Sequence, residues 1–360
     1  METRQSKAKG RNGANHGDYT SDNRSIGLRD VASLAGVSVT TASRALSTPE
    51  LVSETAMVRI RAAIRQLGYM PNSAARALRS RRTKLVGTIV TTLDHAICAS
   101  LVETLQAKLH AGGYSLVVTS SEFDLRAELE QARVLVERGV QALVLLGDEH
   151  SPELYELMER NRIPFVNTYV FKPDRPYSCV GFDNVVAGEK IASHLIQLGH
   201  QNIAMIAGIQ KENDRARDRA TGVKRELARC GLNLRNELFS EKQYNIDAGR
   251  EGLRQLLRSG LPISAIICGS DVLAFGVLAE CKALKIKVPE ELSITGFDDL
   301  EFAPHLDPPL TTIRVPAEEM GTRAAEYVIQ CLESDASVQH THLEATLILR
   351  ATTAPPPPSN

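Results

Sequence analysis

The sequence predicts a small all-α headpiece with a helix-turn-helix, followed by a larger α/β core of two doubly wound parallel-sheet subdomains. Three observations support this prediction. Apolar residues recur at helical spacing on both sides of a glycine within residues 28–67. From Leu85 onward, short apolar runs alternate with stretches of helical length. The 360 residues also exceed one ordinary domain.

The composition is that of a globular protein. Hydrophobic residues make up 43% of the chain and charged residues 24%, and no stretch reaches the roughly 20 apolar residues that a membrane span needs. Residues 1–25 are polar and lack the apolar core of a secretory signal. We therefore expect a disordered polar tail, no membrane partner and a cytoplasmic location. The scattered cysteines, without any CxxC, are expected to be buried reduced thiols.

The net charge of −1 conceals an asymmetry along the chain. Residues 26–84 contain ten Lys and Arg against three Asp and Glu, whereas residues 85–360 contain 27 against 37. A basic segment on an acidic body is expected where only that segment contacts phosphate, because counterion release rewards local positive charge.

Two helices are predicted, one on each side of Gly36. A helix over residues 29–35 would end at Gly36, which tolerates the positive φ of a sharp turn. Ser38 is then placed to cap a second helix over residues 39–46. The residues expected to be buried between these helices are Val31, Leu34, Val37, Ala42 and Leu46. The face left outside is small and polar with one long donor, as a helix in a major groove requires.

A third helix is predicted over residues 54–67, capped by Ser53 and closed by Gly68. Its buried stripe would be Met57, Ile60, Ile64 and Leu67, and its arginines either contact phosphates or form a solvated face. Beyond Pro71, Asn72 is placed to cap a helix of about seven residues, a length that is marginal alone in water.

The motifs DVASLAGVSVTTASRAL, VSE, LGYMPN and ARALR resemble, in this order, the headpiece of the LacI/GalR family of bacterial transcription regulators. The resemblance implies a DNA-binding domain at residues 26–71 and a hinge helix with linker at residues 72–84. It also implies a homodimer on a pseudo-palindromic double-stranded operator, with a leucine wedged between central base steps; a plain linker is the alternative. The DNA contacts expected are Val39, Thr40, Thr41, Ser43, Arg44, Asn72 and Leu78.

The core reads as strands alternating with helices, which predicts parallel sheets covered on both faces. Strands are expected at residues 85–90, 115–119, 142–146, 163–167, 203–208, 265–269 and 292–297. Helices are expected at residues 101–111, 125–138, 185–198, 221–230, 248–258 and 272–285. A ligand cleft would lie beyond the carboxyl ends of the strands, between the two subdomains.

Residues 180–208 and 270–321 resemble the effector domain of the same family, which is shared with periplasmic sugar-binding proteins. This implies an effector-binding and dimerisation core at residues 85–350, with the chain crossing between subdomains near residues 184, 314 and 345, and a Pro-rich tail at 351–360. The effector contacts it implies are Arg219, Tyr244, Ser270 and Asp298. Without the resemblance, Arg219 reads more readily as a solvated helix residue. Tyr244 is then alternatively a half-buried strand aromatic, and Ser270 and Asp298 are alternatively cap or loop residues.

One loop departs from the family pattern. Residues 91–100 read TTLDHAICAS where an Asn-Pro-Phe-like run is usual. The departure predicts a less aromatic site that suits a polar or acidic metabolite, with Asp94 and the Asp148–Glu149 pair as further candidates. Asp183 is interpreted as a helix cap, and His194 and His200 as structural residues.

No catalytic or phosphate-binding motif occurs, and no cofactor or metal is expected. The sequence therefore predicts a DNA-binding transcriptional repressor, controlled by a small-molecule effector that is a sugar or sugar acid. The alternative is a cytoplasmic carbohydrate-binding protein without operator-specific DNA binding, and an enzyme comes third. The C-terminus lacks a leucine heptad, which favours a dimer over a tetramer.

Overall fold

The computed structural model describes residues 26–70, 82–334 and 336–358. The chain divides into two compact units, Met1–Arg81 and Arg82–Asn360. The predicted polar tail at residues 1–25 and the predicted hinge helix, with its Asn72 and Leu78, lie outside the described residues.

The first unit contains the three predicted helices within residues 26–70. They are α1 (Leu28–Ala35), α2 (Val39–Ser47) and α3 (Glu54–Leu67). Gly36 and Gly68 end α1 and α3 with φ of 62° and 60°, the left-handed conformation that glycine adopts without strain. Ser38 caps α2, because its hydroxyl accepts the backbone N–H of Thr41 at 3.0 Å. Both turns are confirmed as predicted.

Two expectations for this unit are wrong. Leu34 is 46% exposed, whereas Val31, Ala32 and Ala35 are buried. Helix α3 covers the arc of α1 that carries these three residues, so Leu34 falls on the open side. Ser53 stands at the N-cap of α3, but its hydroxyl bonds no backbone amide. The core of the unit is otherwise the expected stripe, centred on Ile60.

The second unit contains two parallel sheets and a short antiparallel pair. The first sheet consists of β1 (Leu85–Val90), β2 (Ser115–Ser120), β3 (Ala142–Leu146), β4 (Phe165–Thr168), β5 (Cys179–Gly181) and β11 (His340–His342), in the order β11-β5-β4-β3-β1-β2. The second consists of β6 (Ile203–Gly208), β7 (Phe239–Lys242), β8 (Ala265–Cys268) and β9 (Ser293–Thr295), in the order β7-β6-β8-β9. The pair is β10 (Thr312–Arg314) with β12 (Thr346–Ile348). The predicted α/β fold class is confirmed.

Helices cover both sheets. They are α4 (Ala96–Ala111), α5 (Leu125–Glu137), α6 (Pro152–Asn161), α7 (Asn184–Gln197), α8 (Asp214–Arg229), α9 (Ile246–Arg258), α10 (Asp271–Leu284) and α11 (Ala317–Glu333). α4 packs on α11, α7 on α8, and α9 on α10. Helix α8 begins well before the predicted residue 221, because Asn213 caps it by accepting the N–H of Ala216. The sequence did not predict α6 or α11.

The chain passes from the first subdomain to the second between β5 and α7, returns between β10 and α11, and leaves again between β11 and β12. This path places the carboxyl ends of both sheets opposite each other. The rings of Phe182 and Phe297, one from each side, lie 6.2 Å apart. Within the described residues, no helix is long and apolar enough to cross a membrane.

Several residues interpreted as structural are confirmed in that role. Asp183 accepts the N–H groups of Val185 and Val186 and caps α7. His194 bonds Thr353, and His200 bonds Ser264, Ser293 and the carbonyl of Ala354. The six cysteines are all unpaired, but Cys230 is exposed rather than buried as predicted. It lies at the end of α8, beyond the face that packs on α7.

Candidate functional site

The outer face of α2 is the first candidate surface. Val39 is 45% exposed, and Thr40 and Arg44 are also exposed. Ala42 and Ala45, on the opposite face, are buried. No described residue accepts a hydrogen bond from the Arg44 guanidinium. The helix therefore presents one apolar group, one hydroxyl and one long cationic donor to its surroundings.

Two other residues of α2 that were predicted to contact DNA are less exposed to solvent. Thr41 is half-buried, and its hydroxyl lies 2.8 Å from that of Ser38, so it belongs to the N-cap. Ser43 is also half-buried. Of the seven residues predicted to contact DNA, Val39, Thr40 and Arg44 form the open face.

The second candidate site is a cavity of about 60 Å³ between the two subdomains. All four predicted effector residues line it: Arg219, Tyr244, Ser270 and Asp298. The first subdomain contributes polar and aromatic neighbours, among them Thr91, His95, Cys98, Phe123 and Tyr169. These first-subdomain residues lie in loops at the carboxyl ends of strands or, for Cys98, in the first turn of the helix that follows β1, as expected for ligand sites in open α/β sheets.

Arg219 is held in place rather than solvated. Its Nη1 donates to the carbonyl of Gly269 at 2.7 Å, and its Nε donates to the carbonyl of Arg215 at 3.2 Å. The guanidinium carbon lies 4.2 Å from the centroid of the Phe297 ring, a cation–π contact. These contacts fix the plane of the guanidinium against the wall of the cavity.

Arg215 also lines the cavity, one helical turn before Arg219, and is not among the residues predicted from the sequence. It is 8% exposed. Its Nη1 donates to the carbonyl of Leu146 and to Oδ1 of Asp214, both at 2.9 Å. The spacing of four residues from Arg219 is the signal that could have found it, because such residues share one face of a helix.

Asp298 follows β9 in a conformation that is rare for a residue with a side chain. Its φ is 122°, and such strain persists where the surrounding structure imposes it, often at ligand sites. Burial raises the pKa of its carboxyl well above the usual range, while Arg219 acts in the opposite direction. No described residue donates a hydrogen bond to this carboxylate.

Ser270 has a structural task as well as a place on the cavity wall. It is 4% exposed, and its hydroxyl accepts the N–H of Leu273, which caps α10. The cap role is therefore the one that the geometry supports for this side chain.

Three rings close the mouth of the cavity. Tyr244 lies 5.1 Å from His95 and 6.2 Å from Phe123, measured between ring centroids. The hydroxyl of Tyr244 is buried and has no hydrogen-bond partner among the described residues. Residues 91–100 contribute only the imidazole of His95, and Phe123, in the loop after β2, adds a phenyl ring from a different part of the chain.

A set of polar contacts joins the first subdomain to the start of α8. Lys172 pairs with Asp218 at 2.7 Å, and Glu149 pairs with Arg217 at 2.8 Å. The backbone N–H of Asp148 donates to Asp214 at 2.8 Å. The Asp148–Glu149 pair, considered as a ligand site, thus contacts the opposite subdomain. Among the described residues, no cluster of His, Cys, Asp and Glu could hold a metal ion.

Comparison with protein families gives two matches. The model described as bacterial regulatory proteins, lacI family, matches residues 27–72. A periplasmic binding protein-like domain matches residues 192–353. The first match covers α1 to α3, and the second covers much of the α/β core.

Two curated relatives match over most of their length. The chain is 31% identical over 335 residues to the HTH-type transcriptional repressor PurR of Pectobacterium atrosepticum, which covers 92% of this chain and 97% of that protein. It is also 30% identical over 323 residues to the ribose operon repressor of Escherichia coli, a match that covers 89% of this chain and 97% of that protein.

Solved structures agree with these relatives. The lac repressor dimer bound to operator and the anti-inducer ONPF matches with a TM-score of 0.82 and 25% identity, covering 91% of this chain and 99% of that chain. A LacI-family transcriptional regulator from Silicibacter pomeroyi matches with the same TM-score, identity and coverage.

Proposed function

Because this chain belongs to the LacI family of bacterial regulatory proteins, we propose that it is a sequence-specific transcriptional repressor whose affinity for operator DNA is controlled by a small metabolite in the cleft. The observation that carries this proposal is the open face of α2, where Val39, Thr40 and Arg44 project from a capped and packed helix. It acts in the cytoplasm, where the chromosome lies, and catalyses no reaction.

The chemistry of the open face suits the edges of base pairs. Val39 and the methyl group of Thr40 suit a thymine methyl, and the Arg44 fork suits O6 and N7 of guanine. Thr41 and Ser43 lie at the edge of this face and would contact phosphate, which positions the helix without reading sequence. Two copies of the chain would present two such helices to a pseudo-palindromic site.

The hinge segment completes the DNA-binding part of the proposal. Asn72 would cap a short helix, and Leu78 would enter the minor groove between two base steps. A seven-residue helix needs partners to be stable. In this proposal the partners are the same segment of the second copy and the bent duplex.

Control by a metabolite follows from the position of the cavity. Arg219, Tyr244 and Asp298 belong to the second subdomain, and His95 and Phe123 to the first. A ligand that contacts both sides binds the closed arrangement more tightly than an open one. Differential affinity of this kind is the physical requirement for allosteric control.

Selection from a library of random duplexes tests the proposal directly. We expect the full-length chain to enrich a pseudo-palindrome and to bind it with an affinity that falls steeply as salt rises. A cleft ligand should then change that affinity. Failure to enrich any symmetric site, together with ligand binding, would favour the carbohydrate-binding alternative and overturn the repressor.

A further inference from the structure

The cavity between the two subdomains contains two guanidinium groups with N–H donors that bond no described residue. Nη1 of Arg215 donates to the backbone carbonyl of Leu146, and Nη1 of Arg219 donates to the backbone carbonyl of Gly269. No described residue accepts a hydrogen bond from Nη2 of either side chain. Both arginines line the cavity, and Arg215 is more than nine-tenths buried. These donors are therefore available to an acceptor on a ligand in the cavity.

The start of α4 adds a second source of positive potential. Ala96 and Ile97, the first residues of this helix, line the same cavity. His95 stands at the N-cap position, but its side chain makes no cap hydrogen bond. The first amides of a helix carry partial positive charge and bind anions when no side chain caps them.

The same cavity also contains groups that suit hydroxyls. The Asp298 carboxylate has no donor among the described residues, and the buried Tyr244 hydroxyl has no partner there either. A carboxylate accepts O–H donors, and a phenol both donates and accepts. The cavity therefore contains donors for an anionic group and polar partners for hydroxyls.

The balance of charge limits the anion. Asp214 pairs with Arg215 at 2.9 Å, so one of the two guanidinium charges is already balanced. The two arginines therefore keep one net positive charge, which suits a singly charged anion better than a dianion. A planar, singly charged carboxylate also matches the fork of a guanidinium in bidentate fashion.

We propose that the effector is a short polyhydroxylated carboxylic acid rather than a neutral sugar. Its carboxylate would meet Arg215, Arg219 and the start of α4, and its hydroxyls would meet Asp298 and Tyr244. This inference rests on the proposed function, because it names the ligand class of the same cleft.

Calorimetric titration of the full-length protein with matched pairs tests the inference. The pairs are erythronate with erythritol, ribonate with ribitol, and gluconate with glucitol, which differ only in the carboxylate; ribitol phosphate tests the dianion. We expect the acid of at least one pair to bind at least tenfold more tightly than its alditol and than ribitol phosphate.

Variants separate recognition of the carboxylate from a structural role. Arg215→Gln should weaken binding of the acid at least tenfold and leave binding of the alditol unchanged. Arg219→Lys, which keeps the charge but loses the fork, should do the same to a smaller extent. The matched control is Arg225→Gln on the same helix, an exposed residue paired with Glu189; it should change neither affinity.

The results that would overturn the inference are specific. They are equal affinity for acid and alditol, tighter binding of ribitol phosphate, no binding by any acid of the panel, or an equal loss for acid and alditol in Arg215→Gln. Operator binding is measured in the same preparation. Retained operator binding with any of these results rejects only the acidic ligand, whereas its absence rejects the repressor.

Discussion

The imidazole of His95 meets the ring of Tyr244 edge-on across the cleft, with centroids 5.1 Å apart and planes at 87°. His95 precedes α4 in the first subdomain, and Tyr244 follows β7 in the second. The contact therefore depends on the two subdomains being close together. Together with Phe123, the two rings line both the cavity of about 60 Å³ and a wider neighbouring cleft. That cleft is also lined by Glu122, Asp124, Lys211 and Gln243.

This contact predicts that acid weakens closure of the cleft. Burial lowers the pKa of His95, with a backbone hydrogen bond to Tyr244 and the charge of Asp94 opposing the shift. A lowered pKa means that the closed state prefers the neutral ring, so the stabilisation is present above the ordinary pKa of about 6.5 and is lost as pH falls below it.

Small-angle scattering of the full-length protein measures the closure. We expect the radius of gyration to rise between pH 7.5 and pH 5.5, values chosen to bracket the ordinary histidine pKa of about 6.5. The rise should shrink in His95→Gln, whose side chain does not titrate. An identical pH response in this variant would assign the effect to other groups.

A second histidine has the opposite pH dependence. Both ring nitrogens of His150 face acceptors, the Glu128 carboxylate at 2.8 Å and the Gly147 carbonyl at 3.2 Å. Only a doubly protonated imidazole donates to both. Burial lowers its pKa, but Glu128, Asp214 and the carbonyl together raise it by more, so the net shift is upward. Its stabilisation is present at low pH and is lost as pH rises through the raised pKa.

Glu128→Gln should therefore lower the pKa of His150 and destabilise the fold. The side chains of His150 and Glu128 are 0% and 7% exposed, and removing one partner of a buried pair costs about 3 kcal/mol. Chemical denaturation measures the loss, and nuclear magnetic resonance titration of the imidazole measures the pKa. Glu130→Gln, in an exposed pair with Arg133, is the control and should change stability by less than about 1 kcal/mol.

Helix α8, which carries both cavity arginines, crosses α7 at glycines. A Cβ at Gly222 would lie 2.0 Å from the carbonyl oxygen of Val185, and one at Gly188 would lie 2.3 Å from that of Arg219. Because both obstacles are backbone, Gly222→Ala must push α8 away from α7. We expect a loss of about 1–3 kcal/mol in the free energy of unfolding, measured by denaturant titration. Ala228→Ser, on the exposed side of α8, should stay within about 0.5 kcal/mol of the parent.

The open face of α2 makes a prediction about specificity. Arg44→Gln should cost about 1–3 kcal/mol on the selected operator and relax the preference at one base pair, because it removes a bidentate contact. Arg61→Gln, an exposed arginine of α3, is the comparison; if it contacts phosphate, it should weaken all duplexes alike. Competition binding measures both. A uniform loss for Arg44→Gln would remove it from base recognition.

The elements that the sequence predicted to the residue are those with strong local patterns. β1, β3 and β6 coincide with continuous apolar runs, and α3 lies between a serine and a glycine. The three-residue strands β5 and β11 were missed, because segments this short carry no periodicity. Helix α11 was missed although it is long and packs on α4.

The candidate site was only partly readable from the sequence. Arg219, Tyr244, Ser270 and Asp298 were named through family resemblance, and the structure brings all four to one cavity. Arg215 was missed because the run KENDRARDR contains three arginines of similar appearance, and only the spacing of four residues from Arg219 places Arg215 on the same helix face. His95 and Phe123 were missed as partners of Tyr244 because they come from separate loops.

The sequence by itself determined the local structure of this protein: a capped recognition helix with an open polar face, parallel strands in a βα alternation, and a basic head on an acidic body. Apolar periodicity and cap residues act within a few positions along the chain, so the helices and strands that they specify can be predicted from the sequence. Only the tertiary structure decided that Arg215 reaches the carbonyl of Leu146 in the opposite subdomain and that His95 meets Tyr244. Such contacts join residues that are far apart in the chain. Periodicity indicates which face of a helix or strand is buried, but it does not indicate which other element packs against that face.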